Sequence, residues 1–114
     1  MSECIFCQIV SGDAPAEIVH QDDDVMAFQN IDPKAPVHLL VVPREHYPDL
    51  DTLADPSLSI KLLETARLLG ERHSPEHGYH LAVNSSKQAE IGHLHFHVLG
   101  GRSAADARKG GGQV

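Results

Sequence analysis

The amino-acid sequence predicts an α+β domain: an antiparallel sheet of about five strands, one main helix and a short N-terminal helix. Apolar residues recur at helical spacing in only one long segment, from Asp55 to about His73. The other apolar segments are short, alternating or β-branched, and residues that favour turns separate them. Several strands beside one main helix are typical of the α+β class, and 114 residues fit one domain.

The N-terminal half is predicted to contain the short helix and three of the strands. Gly12 is placed to end the helix, and Pro43 is placed to end the third strand. Three consecutive aspartates after Gln21 form a polar turn between the first two strands. The predicted helix covers residues 3–11, and the predicted strands cover residues 18–20, 25–28 and 38–42.

The C-terminal half is predicted to contain the main helix and two more strands. Asp55 is suited to cap the helix, and Pro56 is suited to its first turn. The helix is predicted to run to about residue 73, and the strands cover residues 79–83 and 93–99. We expect one domain over residues 1–102 and a flexible tail over residues 103–114.

Composition limits the classes of partner. The formal net charge is −7, with 9 Lys and Arg against 16 Asp and Glu. A nucleic-acid-binding surface needs a basic footprint, so we expect no nucleic-acid partner, whereas a small phosphorylated ligand needs only a few donors. No apolar run reaches the roughly 18 residues that span a membrane, and no signal peptide is evident. We therefore expect no membrane association and a cytoplasmic location.

Histidine occupies every second position at the start of the last predicted strand, at His93, His95 and His97. Alternate residues of a strand share a face, so three imidazoles are predicted to line one side. The apolar residues between them, which would bury the other side, are Leu94, Phe96 and Val98. Such a face suits either a catalytic zinc with three His ligands or a nucleophilic imidazole with imidazole donors for a phosphate. Spacing alone does not separate these two interpretations.

Residues 93–99 resemble, at every position, the His-φ-His-φ-His-φ-φ signature of the histidine-triad (HIT) superfamily, in which φ is apolar. The opening segment 4–12 and the middle segments 27–31 and 35–43 also resemble that family, so the likeness covers about residues 4–102. The ending Leu-Gly-Gly-Arg resembles the Hint branch, the purine nucleoside phosphoramidases. The resemblance implies a homodimer whose sheet continues across the two subunits.

The resemblance also implies a reaction. Members of this branch cleave the bond between a nucleoside monophosphate, such as AMP or GMP, and an amine or phosphate leaving group. His95 matches the nucleophile that forms a covalent nucleotide intermediate, and His97 and His38 match imidazoles that contact the phosphate. In-line attack on phosphorus depends on positioning and on donors to the non-bridging oxygens, so no metal is expected at the catalytic centre.

Nucleotide contacts follow from the same matches. Asn84 matches an Asn that orients the site, and Ile31 matches a residue that lines the base and ribose pocket. Asn30 stands where the family usually has an Asp that binds ribose hydroxyls. Ala89 and Glu90 replace the usual Gln and the phosphate-contacting Ser or Thr. Glu90 is therefore expected to turn to solvent, to pair with a cation, or to act as a general acid.

Cys4 and Cys7 have the two-residue gap that is typical of zinc sites, although two buried small side chains would give the same pattern. A metal or redox role is favoured over a disulfide staple, because the disulfide would close a very small loop. Zinc requires further ligands. In the family that this chain resembles, members with this cysteine pair hold zinc in a Cys₂His₂ site. The two histidine ligands of that site match His46 and His93 here. The resemblance therefore implies one structural zinc per chain.

Three functions are compatible with the sequence. The first is a nucleoside phosphoramidase or related nucleotidyl hydrolase. The second is a nucleotide-binding regulatory or interaction module of the same fold with little turnover, which Ala89 and Glu90 favour. The third is a zinc-dependent hydrolase that uses the histidine strand, and it leaves Cys4, Cys7 and His46 unexplained.

Overall fold

The computed structural model describes residues 4–88 and 91–101. Two helices and five antiparallel strands confirm the predicted α+β class. Glu90, Ala89 and the predicted tail 103–114 lie outside the described residues. The elements are α1 (Ile5–Ser11), β1 (Ile18–Gln21), β2 (Val25–Gln29), β3 (Val37–Pro43), α2 (Pro56–His73), β4 (Tyr79–Val83) and β5 (Phe96–Gly100), with short 3-10 turns at Leu50–Thr52 and Ser86–Gln88.

The strands form one sheet in the order β1-β2-β3-β5-β4. Each neighbouring pair is antiparallel. β5 therefore lies between β3 and β4, where Leu40 of β3 and Ala82 of β4 both pair with His97. This order leaves β4 as an edge strand, and α2 makes the connection between β3 and β4 across one face of the sheet.

A helix covers each face of the sheet. Because side chains alternate along a strand, consecutive residues of β2 and β3 enter different cores. The core under α2 contains Val25, Ala27, Leu39, Val41, Leu62, Ala66, Leu69, Phe96 and Val98. The core under α1 contains Phe6, Ile9, Met26, Phe28, Leu40 and Val42. His97 lies between Phe96 and Val98 in β5, so its side chain points to the α1 face.

The ends of α1 position the two cysteines. Cys4 is the N-cap, and its Sγ accepts a hydrogen bond from the amide of Cys7 at 3.5 Å. Gly12 ends the helix with a φ of 87°, a left-handed conformation that glycine adopts without strain. The first turn of α1 therefore carries both thiols, with Phe6 between them.

The main helix begins as the sequence predicts. The Asp55 carboxylate accepts from the amides of Ser57 and Leu58 at 3.0 and 3.4 Å, and Pro56 occupies the first turn. Its interior face is apolar, and Gly70 lies directly against the ring of Tyr79 in β4. No helix among residues 4–88 and 91–101 is both long and apolar enough to cross a membrane.

The last strand begins later than the sequence predicts. The hydrogen-bonded ladder starts at Phe96, so His93 and His95 precede it rather than belonging to a strand over residues 93–99. The physical reason is a competing set of partners: the Leu94 amide donates to the Tyr47 carbonyl at 2.7 Å, not to a neighbouring strand. The 3-10 turns, which close on local capping contacts, were also not predicted.

Candidate functional site

Three imidazoles meet on the α1 face of the sheet: His38 of β3, His97 of β5 and His95 just before β5. His38 Nε2 lies 2.9 Å from His97 Nδ1. The rings of His95 and His97 are 4.9 Å apart, centroid to centroid. The structure thus brings together all three residues that the sequence analysis assigned to catalysis, although their roles stay predictions.

The contacts of His95 fix which of its ring nitrogens carries the proton. His95 Nδ1 lies 2.9 Å from the carbonyl oxygen of His93. A carbonyl only accepts, so Nδ1–H donates and Nε2 keeps its lone pair. The ring of Phe6 packs edge-on against the His95 ring at 5.1 Å between centroids. His95 is therefore held in one orientation, with the lone pair of the neutral ring on Nε2.

A chain of hydrogen bonds fixes the proton on His97 as well. The amide of Lys34 donates to His38 Nδ1 at 3.0 Å, so the proton of a neutral His38 is on Nε2. His38 Nε2–H then donates to His97 Nδ1, which leaves His97 with a proton on Nε2. Asn30 Nδ2 lies 3.3 Å from His38 Nε2, but both atoms are donors in this arrangement, so that contact is not a hydrogen bond. The outcome is an N–H donor on His97 beside the ring of His95.

Burial keeps this pair of imidazoles neutral. Burial lowers the pKa of His38, and the nearby charge of Lys34 lowers it further. Burial also lowers the pKa of His97, to about 4, with the neighbouring imidazoles of His95 and His38 adding to the effect. At neutral pH the site therefore offers an anion an uncharged N–H donor from His97 and not an imidazolium.

The four predicted metal ligands converge at the end of α1. The ligand atoms of Cys4, Cys7, His46 and His93 all lie within 4.8 Å of one another. His93 Nδ1 is 3.4 Å from Cys4 Sγ and 3.5 Å from Cys7 Sγ. His46 Nδ1 is 3.2 Å from Cys7 Sγ and 3.1 Å from His93 Nδ1.

These separations fit a tetrahedral ion. With bonds of about 2.3 Å to sulfur and 2.0 Å to nitrogen, tetrahedral zinc holds sulfur and nitrogen ligands about 3.5 Å apart, and two nitrogens about 3.3 Å apart. The side chain of His93 is fully buried, and its Nε2–H donates to the Pro43 carbonyl at 3.0 Å, so Nδ1 presents a lone pair to the cluster. Burial also lowers the pKa of His93, which favours the neutral form that binds metals. The residues present are therefore suited to zinc.

The same geometry argues against a catalytic zinc on three triad histidines. His93 Nδ1 faces the thiols, and His95 Nδ1 is held by a carbonyl, so the triad rings do not converge on one point. Over the described part of the chain, the Cys4, Cys7, His46 and His93 group is the only set of three or more such side chains with converging ligand atoms.

The predicted nucleotide contacts line two separate depressions. Asn84 lines a small hollow beside His95 and Ile91. Asn30 and Ile31 line an open cleft at the end of β2, where Ile31 is 96% exposed. Glu90, the remaining predicted contact, is outside the described residues.

Two functional contacts were missed from the sequence. Phe6 supports the rings of His93 and His95, and the Lys34 amide sets the proton on His38. The position of Phe6 between two cysteines was a signal for the first. No sequence signal marks the contact of the Lys34 amide with His38, because the backbone amide is common to nearly all residue types.

The fold and these contacts define a class: a small α+β protein with a histidine face and a Cys₂His₂ cluster on one side of a five-stranded sheet. The HIT domain family model matches residues 11–104. The chain belongs to the HIT domain family, which confirms the resemblance noted in the sequence.

Three similar proteins illustrate the relationship. The purine nucleoside phosphoramidase of Escherichia coli is 34% identical over 105 residues, which cover 88% of each chain. A HIT family hydrolase from Legionella pneumophila is 38% identical, with a TM-score of 0.80 over 89% of this chain and 95% of that one. A zinc-bound histidine triad family protein from Mycobacterium smegmatis is 32% identical, with a TM-score of 0.79 over 90% of this chain and 77% of that one. These similarities support a hydrolase or nucleotide-binding function of the HIT kind.

Proposed function

We propose that the protein is a nucleoside phosphoramidase-like hydrolase. It cleaves the bond between a purine nucleoside monophosphate, AMP or GMP, and an amine or phosphate leaving group. The observation that carries the proposal is the paired tautomer assignment: His95 keeps a lone pair on Nε2, and His97 keeps a proton on its own Nε2. A nucleophile and an oxyanion donor therefore stand side by side. The likeness to a purine nucleoside phosphoramidase supports the substrate class.

The first chemical step forms a covalent nucleotide on His95. Its Nε2 attacks phosphorus in line, the bond to the leaving group breaks, and a leaving amine takes up a proton from solvent. His97 Nε2–H donates to a non-bridging oxygen, whose charge rises in the transition state. Because the His97 ring is already oriented by His38, this donor needs no reorganisation during the reaction.

The second step hydrolyses the covalent intermediate and regenerates the free enzyme. Water attacks the phosphorus on the opposite side from His95, the bond from phosphorus to Nε2 breaks, a proton of the water passes to solvent, and the nucleoside monophosphate leaves. In this proposal Asn30 and Ile31 hold the ribose and base in the open cleft, and Asn84 orients the phosphate beside His95. The Asn30 amide replaces a carboxylate of the family pattern but can still hydrogen-bond a ribose hydroxyl.

Intact mass measurement tests the proposal. Wild-type protein quenched during turnover of a nucleoside phosphoramidate should gain the mass of one nucleoside monophosphate. His95→Ala should abolish this adduct while nucleotide binding stays measurable, whereas His97→Ala should weaken both. His77→Ala, in the exposed loop after α2, is the matched control and should retain both. An adduct that persists in His95→Ala would refute the assignment.

A second candidate is a nucleotide-binding module with little turnover. Ala89 and Glu90 favour it, because they remove two polar groups that the family pattern places near the phosphate. Tight binding of a nucleoside monophosphate without adduct or turnover would support this candidate. Glu90→Ser, followed from about pH 5 to pH 8, separates the roles of Glu90. An unchanged profile identifies a bystander, a gain at high pH identifies repulsion, and loss of the high-pH limb identifies a general acid.

The Cys₂His₂ cluster is proposed to hold one structural zinc per chain through Cys4, Cys7, His46 and His93. When bound, the ion supplies a cross-link between α1, the loop after β3 and the segment before β5. We expect about one zinc per chain by metal analysis, and a lower melting temperature for Cys4→Ser, because binding free energy contributes to folding. Ser11→Ala, an exposed control in the same helix, should retain the metal. Full stability of a metal-free preparation would contradict the proposal.

The partner proposal is a homodimer that pairs through the β4 edge and α2. An edge strand presents unpaired backbone groups, and pairing with a second copy satisfies them. Leu63 and Ile60 of α2 are exposed apolar residues that a partner would cover. The cytoplasmic location and the absence of a nucleic-acid partner remain predictions from composition.

A further inference from the structure

The two cysteines combine proximity with access to solvent. Cys4 and Cys7 are separated by one turn at the start of α1, and their Sγ atoms lie within 4.8 Å of each other. Both side chains are only partly buried, and His46 beside them is exposed. A small oxidant in solution therefore reaches two thiols near enough for a modest movement of the first turn of α1 to join them.

We infer that Cys4 and Cys7 form a thiol oxidation site, whose conversion to a disulfide by a peroxide releases the metal and loosens His95. One thiolate attacks a peroxide oxygen: an S–O bond forms, the O–O bond breaks, and one water leaves after protonation. The second thiol attacks the sulfenic sulfur: the S–S bond forms, the S–O bond breaks, and the departing hydroxide takes the thiol proton and leaves as a second water. Two thiols lose two electrons, and one peroxide gains them.

Oxidation changes the ligand set directly. A disulfide removes both thiolates from the group of four and leaves His46 and His93. Two neutral imidazoles hold zinc far more weakly than a Cys₂His₂ set, because thiolates supply the negative charge and the softer ligands. Closing the disulfide therefore opens the cross-link between α1 and the segment before β5.

Loss of the metal cross-link affects His95, the proposed nucleophile, through His93 and Phe6. His93 faces the thiols through Nδ1, while its carbonyl oxygen accepts from His95 Nδ1 at 2.9 Å. Phe6, on the same helical turn as the thiols, packs against the ring of His95 at 5.1 Å and the ring of His93 at 5.8 Å. When α1 and His93 are no longer tied together through the metal, each support of the His95 ring loses one anchor and keeps another: the Pro43 carbonyl for His93 and the core under α1 for Phe6.

The first measurement needs no nucleotide. Zinc-loaded protein is treated with hydrogen peroxide, zinc release is followed with a chromogenic chelator, and disulfide is counted by mass after alkylation. We expect one zinc released for each disulfide formed, a lower melting temperature, and recovery after dithiothreitol and added zinc. Both thiols remaining reduced under conditions that oxidise free cysteine would overturn the inference, as would a disulfide with the zinc retained.

Matched variants separate this site from other oxidation. Cys4→His keeps four ligand side chains but only one thiol, so peroxide should produce no intramolecular disulfide; Cys7→His serves if the first variant does not fold. Met26 is buried in the core under α1 and is one of only two methionines in the sequence. Met26→Leu should respond to peroxide as the wild type does. Zinc release that depends on Met26 would contradict the assignment to the thiols.

The coupling to His95 is tested by binding. This arm rests on the proposed function, and it measures the Kd of AMP and GMP before oxidation, after oxidation and after reduction with zinc. We expect binding to weaken at least about fivefold on oxidation and to recover, since a shift in orientation of the supports removes part of the phosphate site. An unchanged Kd after complete zinc release overturns the coupling. Absence of nucleotide binding before oxidation refutes the proposed function instead, and leaves the zinc-release result to stand or fall separately.

Discussion

His93 is the residue through which the two functional clusters meet. Its side chain belongs to the cysteine group, and its backbone carbonyl holds the proton on His95 Nδ1. The triad pattern therefore contains two kinds of histidine. His93 supports the site from a buried position, while the Nδ1 contacts of His95 and His97 leave their Nε2 atoms for the roles that the proposed reaction gives them. A substitution of His93 should affect metal content and His95 together.

The lowered pKa of His97 predicts a pH-dependent stability. In the unfolded chain an imidazole has a pKa near 6.5, but in the folded chain the pKa of His97 is about 4. Between these values the unfolded chain binds more protons, so the free energy of unfolding falls as the pH is lowered through this window. This contribution to the free energy of unfolding is fully present well above pH 6.5 and is lost by about pH 4.

His97→Gln should reduce this dependence. Urea unfolding of the zinc-loaded protein at about pH 7 and pH 5 should show a drop that shrinks by up to about 2 kcal/mol in the variant. His77→Gln, an exposed histidine outside the site, should leave the drop unchanged. Identical pH dependence in His97→Gln and wild type would show that the pKa of His97 is the same in the folded and the unfolded chain.

At the scale of elements, α2 packs closely against β4 at Gly70, where the helix has no side chain. The backbone of Gly70 lies so near Tyr79 that a Cβ atom added there would be 2.5 Å from Tyr79 Cγ. Because β4 pairs with β5 along its whole length, this contact also helps to hold the strand that carries His97. Glycine suits this position because any side chain here would collide with the ring of Tyr79.

Gly70→Ala should therefore destabilise the protein. Alanine is the better helix former by about 1 kcal/mol, but overpacking costs about 1 to 3 kcal/mol, so we expect a net loss of up to about 2 kcal/mol. Gly92→Ala is the control, because a Cβ at Gly92 meets no atom within 4 Å and the backbone there is not left-handed. Thermal or urea unfolding of both variants gives the comparison, and a more stable Gly70→Ala would show that the ring moves at no cost.

At the scale of the whole molecule, the two flanks of α2 face different surroundings. Lys61 reaches the β1–β2 turn and pairs with Asp22 and Asp24 at 3.2 and 2.8 Å. Leu68 lies seven residues further, on the same flank. Leu63 lies seven residues before Gly70 and therefore on the flank beside the β4 edge. The proposed dimer uses this second flank only.

The pair Leu63 and Leu68 offers a matched test of the dimer. The two side chains are 51% and 50% exposed, so an aspartate costs either site about the same in the monomer. Leu63→Asp should shift the protein towards monomer in sedimentation at micromolar concentration, while Leu68→Asp should stay dimeric. A wild type that is monomeric at that concentration, or equal behaviour of the two variants, would exclude this interface.

The sequence alone determined the fold class and the location of most elements. Alternation and helical spacing report which side of an element is apolar, so β4 and the capped start of α2 were predicted where they lie. The His-φ-His-φ-His pattern and the paired cysteines marked part of each cluster through residue types at short spacing, whereas His38 and His46 were assigned only through the family resemblance.

Tertiary structure decided how those residues divide their work. Spacing predicts three equivalent imidazoles in a strand, but the carbonyls of Pro43 and Tyr47 and the thiols of α1 draw residues 93–95 out of the ladder. The protonated nitrogens of His38 and His97 depend on a backbone amide, and the lowered pKa of His97 depends on burial by distant segments. The thiols and the Pro43 and Tyr47 carbonyls are remote in sequence, and the carbonyl and amide partners belong to the backbone, whose contacts residue type does not specify, so only the folded chain assigns them.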